Sequence, residues 1–179
     1  MNIKRVADKK GGIMFLSLPI TAKEKIVIPQ GAVDEFWYDT IRYGETHAHI
    51  SLPPMLEKYL VMTLMEYLHE THLMDTPIAI HLLEGVEQNN LIRLSRAASV
   101  SLLILGLFPE RMDRMLISSS YLLFIGQTSY DHLALHFEAI RRRGEADLAR
   151  QARDSFEPMA RVLRGMRMTE NMFTLPVSV

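Results

Sequence analysis

Seven histidines, two of them four residues apart, are the first side chains in this sequence that could do chemistry. His132 and His136 make that pair, and Glu66-Tyr67-Leu68-His69 adds a Glu-x-x-His. On a helix, residues three or four apart project from one face, the geometry that two ligands of one metal ion require. Two such helices packed together would offer Glu66, His69, His132 and His136 as a mixed carboxylate and imidazole set for zinc, iron or manganese. A ferritin-like di-iron centre calls for a second Glu-x-x-His and two further glutamates, and the chain holds one such motif. The plain reading of the same spacing is a pair of solvated or hydrogen-bonded helix surfaces. Haem ligation by a single imidazole, with Gly126 opening a helix beside His132 or His136, is a further alternative. His47-Ala48-His49 precedes two prolines and reads as a loop pair.

Arg93 and Arg96 open the most apolar stretch of the chain. An unpaired buried guanidinium is prohibitively costly, so both must emerge at the end of that stretch or meet an acid such as Glu84, Glu87 or Asp131. A structural salt bridge is the expectation; the functional alternative is an anion pocket with a bidentate grip on carboxylate or phosphate. Tyr121, Gln127, Ser129, Tyr130 and Asp131 place hydroxyls, an amide and a carboxylate on one segment. They either line a pocket between helices or bond back to their own backbone. No serine has a Gly-x-Ser-x-Gly setting, so nucleophilic catalysis is unsupported. The absence of cysteine excludes disulfides, thiolate zinc sites and iron–sulfur clusters.

The elements that position these groups are helical. The run from Ala97 to Phe108 is apolar almost all round and is stopped by Pro109. It is short of the ~20 residues that cross a bilayer, so it reads as a helix enclosed by others, running from Leu91 to Leu107. Before it, helices are expected from Val33 to Tyr43, capped by Gly44, from Met55 to His72, and from Pro77 to Glu87. The segment Glu110–Arg114 reads as a charged turn. A long helix from Ser118–Ser120 to Arg143 follows, with Leu122, Ile125, Leu133, His136, Phe137 and Ile140 among its inward positions. The last helix, Glu145 to Met168, contains Pro158 and should kink or split there. The sum is an all-α, bundle-like single domain of five to seven helices at residues 31–170. An irregular N-terminal arm occupies 1–30 and a loose tail 171–179.

Charge is uneven along the chain. Residues 1–30 carry six Lys and Arg against two acids, and residues 141–168 carry eight Arg against four acids. The stretch between holds fourteen acids against six bases. Internal pairing of the C-terminal arginines with the acidic middle is the favoured reading, and nucleic-acid binding through Arg141–Arg143, Arg150, Arg153, Arg161, Arg164 and Arg167 the alternative.

The segments Leu91–Arg96, Leu105–Arg111 and Ser120–Tyr130 together resemble a group of bacterial all-helical proteins to which no activity is attached. In that group an Arg-bearing apolar helix ends in a Gly-x-Phe-Pro turn, followed by a Tyr-containing helix with an internal Gly and Tyr. The resemblance implies a helical fold and a bacterial source, and it transfers no catalytic residue. The chain is therefore expected to act by binding, as a cytoplasmic homodimer joined through the arm or the terminal helix. No export signal, membrane span or cofactor is expected, with a metal as the alternative.

Overall fold

A computed structural model of the chain describes residues 30–67 and 77–167. All the regular structure in them is helical: α1 (Gln30–Ala48), α2 (Pro54–Tyr67), α3 (Ile78–Glu87), α4 (Leu91–Leu107), α5 (Pro109–Met115), α6 (Ser119–Ala139), α7 (Arg143–Asp154) and α8 (Phe156–Met166). The fold is all-α, as the periodicity demands. The arm and His69, together with the expected extensions of the second and last helices, lie outside the described residues.

The apolar segment behaves as its composition requires. Every α4 residue from Ala97 to Leu107 is buried, with α6, α3 and α8 packed around it. Asn90 starts the helix, its side-chain oxygen accepting from the Ile92 and Arg93 N–H groups, which leaves fewer of the first-turn donors unsatisfied. Pro109 ends it, and the chain bends by 105° into α5. No single helix among the described residues is long and apolar enough to cross a membrane.

A second helix is as deeply set. Phe156, Met159, Val162, Leu163 and Met166 of α8 are all fully buried. It is admitted so far by glycines on its neighbours: a Cβ built on Gly44 of α1 would stand 2.4 Å from the Val162 carbonyl oxygen, and one on Gly126 of α6 2.2 Å from the Phe156 ring. Both are well inside van der Waals contact.

Gly44 is therefore a packing position and not the expected cap. The helix continues through it, and the chain turns at His49, whose φ is 53°. Three other boundaries differ from the sequence reading. Residues 109–115 form a short helix, because Pro109 at its start supplies a preset φ and needs no N–H partner. The long helix α6 stops at Ala139, where Arg141 adopts φ 61° and the Arg142 N–H returns to the Phe137 carbonyl at 2.8 Å. That leaves His136 half-buried and Ile140 49% exposed, so neither belongs to the core. The expected last helix divides at Ser155, and Pro158 falls in the first turn of α8, where a missing N–H costs nothing. With α5 and this division, eight helices stand among the described residues where five to seven were expected.

Candidate functional site

Three polar groupings and one apolar face are the features that could act. The first is interior. Tyr59 of α2 and Tyr130 of α6 meet hydroxyl to hydroxyl at 2.7 Å, with the Ser99 hydroxyl of α4 at 3.4 Å from Tyr59. Tyr130 also lies edge-to-face on Phe156, centroids 6.0 Å apart. Burial pushes both phenols above their ordinary range; hydrogen bonds from Ser99, Tyr130 and Thr63 moderate the rise at Tyr59, while Tyr59 and Tyr67 add to it at Tyr130. At neutral pH the cluster is a set of uncharged hydroxyls that ties three helices together. Ser129, on the same helix, spends its hydroxyl on the Ile125 carbonyl at 2.8 Å.

The second grouping surrounds the turn between α3 and α4. Arg93 forms a salt bridge with Glu84, and its guanidinium also stands 3.5 Å from His81 Nδ1. Arg96 stacks over the Tyr67 ring at 6.0 Å. His136 Nδ1 reaches across from α6 to Asn89 Oδ1 at 2.9 Å. His132 lies one turn earlier and is partly buried, and Glu66 is exposed near the end of α2. Among the described residues no group of three or more His, Asp or Glu side chains is placed to hold a metal ion.

Arginines of the C-terminal third are the third grouping, and Arg142, Arg150, Arg153 and Arg167 are each held by carboxylates of the chain itself. Arg153 lies between Asp131 of α6, in salt-bridge contact, and Asp154 at 2.8 Å; these carboxylates hold its guanidinium even more firmly protonated than usual. Arg150 reaches Glu138 at 2.5 Å and Asp147 at 3.2 Å. Arg167 pairs with Glu110 of α5, and that contact, with backbone hydrogen bonding, lowers the Glu110 carboxyl below the ordinary range. Arg164 donates to the Leu105 carbonyl at 2.9 Å. The residues at the end of α1 line an open depression formed by Arg42, Glu45, Thr46, His49, Ile50 and Ser51. Glu45 is occupied there, accepting from the Leu52 N–H at 2.6 Å. The sequence's His-x-His falls at this end, with His47 stacked on Tyr43 at 4.0 Å.

The apolar face was not legible from motifs. α3 buries Ile78, Leu82 and Gly85 against the body, Gly85 seated on Leu94. Its other side presents Ile80, Leu83 and Val86 to solvent at 39, 59 and 40% exposure. A surface helix ordinarily carries charge on that side, and the spacing of three between these residues was the available signal. Comparison of the chain with protein-family models, with curated proteins and with solved structures gives no match.

Proposed function

We propose that this chain is a helical interaction protein that works by associating through its outer helical surface, first with a second copy of itself. The observation that carries the reading is the outward apolar side of α3, a ten-residue helix with Leu83 59% exposed. Isolated exposed apolar residues are ordinary, whereas a row of them on one helix marks a contact surface. The polar groups expected to form a pocket point the same way, because Arg93, Arg153 and the Tyr59 and Tyr130 hydroxyls are already engaged within the fold. Engagement of Arg150, Arg153 and Arg167 with carboxylates also favours a protein partner over a phosphate backbone.

Light scattering on the full chain over a wide concentration range tests the reading. The expected mass approaches twice the 20.5 kDa of one chain as concentration rises. A mass fixed at that of a single chain throughout would refute it.

A further inference from the structure

Several exposed apolar side chains of this protein border the N-terminal end of α4. Ile80, Leu83 and Val86 run along α3 toward the turn Gln88–Asn90, and Ile92, 43% exposed, follows it in the first turn of α4. The Asn89–His136 hydrogen bond pins that turn to the C-terminal third of α6. Near His136, Leu135 is 62% exposed, and Ile140 at the end of α6 is 49% exposed. α3, the start of α4 and the end of α6 thus each carry exposed apolar side chains near that turn.

Its rim is charged with both signs. Glu87, at the end of α3, is exposed, and so are Arg141 and Arg143 just beyond α6. None of these three has an ion-pair partner among the described residues, although most other arginines of the C-terminal third do. A surface that carries an unpaired acid beside one helix and unpaired bases beside the other is complementary to its own two-fold copy, because residue i then meets j and j meets i. The near-zero formal net charge of the chain, −1, opposes such pairing very little.

We propose that α3 and the end of α6 form an isologous dimer interface. A second copy packs Leu83 and Leu135 against its own equivalents, and Glu87 of each chain faces Arg141 or Arg143 of the other. This rests on the association reading above and names its surface, in place of the N-terminal arm or terminal helix expected from sequence.

Sedimentation equilibrium on full-length variants decides it. Each interface contains every residue twice, so Leu83→Glu and Leu135→Glu should each weaken the dimer about a hundred-fold or more, with helical content by circular dichroism unchanged. Leu116→Ser, just past the end of α5 and 94% exposed, should leave association intact. Glu87→Arg should weaken the dimer, and adding Arg141→Glu with Arg143→Glu in the same chain should recover it, a restoration that no purely local stabilising role produces. If the unaltered protein is monomeric at all concentrations, both the interface and the association reading fail. If it is dimeric and stays so in Leu83→Glu and Leu135→Glu, this interface alone is overturned and association belongs elsewhere on the chain.

Discussion

Two glycine-to-alanine substitutions should move stability in opposite directions, because one glycine is a contact and the other is not. Gly144 lies in the first turn of α7 with nothing within 4 Å of the place its Cβ would occupy. Alanine there restricts the unfolded chain and suits the helix, a gain of about 0.4–1 kcal/mol. Gly44 has the same helical backbone and would draw the same gain. Its Cβ, however, would stand 2.4 Å from the Val162 carbonyl oxygen and 2.7 Å from Met166 Cγ. The methionine end can move; the carbonyl belongs to the backbone of α8 and moves only if the two helices part. Overpacking of that kind costs about 1–3 kcal/mol, and a backbone obstacle belongs at its upper end, so the net effect of Gly44→Ala is a loss of up to roughly 2 kcal/mol after subtracting the propensity gain of about 1 kcal/mol. For a chain of this size about 2–4 °C of midpoint accompanies each kcal/mol. Thermal and urea unfolding followed by circular dichroism should therefore place Gly44→Ala below the parent protein and Gly144→Ala above it. Gly165→Ala, whose Cβ would lie 2.6 Å from the Gly44 carbonyl oxygen, acts on the same contact, so its loss should combine with that of Gly44→Ala less than additively. Two substitutions that shift the midpoint in the same direction would refute the close-contact account of α1 and α8.

At Gly126 the obstacle is a ring and not a backbone, so Gly126→Ala should destabilise by about 1–3 kcal/mol, and adding Phe156→Leu should recover part of that in urea midpoints; no recovery would mean the ring is not the obstacle. Tyr130→Phe removes one hydroxyl of a buried pair and should cost about 1–3 kcal/mol at neutral pH by leaving Tyr59 short of its closest partner, and a midpoint equal to the parent's would discount the pair. Both phenols titrate above their ordinary range in the folded protein, so the unfolded chain releases their protons first. Their contribution is whole below the ordinary phenol pKa of 10.0 and is lost as pH rises beyond it, and the parent's alkaline decline should be shallower in Tyr130→Phe. The sign reverses for Glu145, where burial raises the carboxyl but the bonds from Arg142 and from its own N–H outweigh it and lower it overall. Stability from that pair is present above the ordinary value of 4.5 and is lost as pH falls below it, so Glu145→Gln should lessen the acid dependence, and an unchanged acid limb would count against the pairing.

Period and punctuation made the middle of this fold readable. Leu91–Leu107 was bounded by Asn90 and Pro109 and apolar on all sides, and each of those features is local. What could not be read were events set by a neighbour. Gly44 looks like a terminator to any local argument and is a contact because α8 arrives there. Tyr59 looks like one more apolar residue in a helical stripe; its hydroxyl matters because Tyr130, 71 positions later, is folded against it. His136 has the spacing of an inward residue, yet α6 closes soon after it and Asn89 takes its ring at the surface. Long-range partners of this kind leave no mark in spacing.

The contrast between α3 and α4 follows from the same distinction. Both are rich in large apolar side chains, and composition alone would bury both. α4 has neighbours on several sides, namely α3, α6, α8 and α5, whereas α3 packs mainly on α4 with a smaller contact to α6. An apolar helix of ten residues laid on the outside of a domain leaves half its circumference in water. With Leu83 59% exposed, that arrangement forgoes much of the ~1.5–3 kcal/mol a buried leucine supplies. A contact that covers α3 recovers this contribution. A polar residue at position 83 then loses little in the isolated chain and much in the proposed dimer, so stability at low concentration should be nearly unchanged by Leu83→Glu while the concentration dependence of the midpoint disappears.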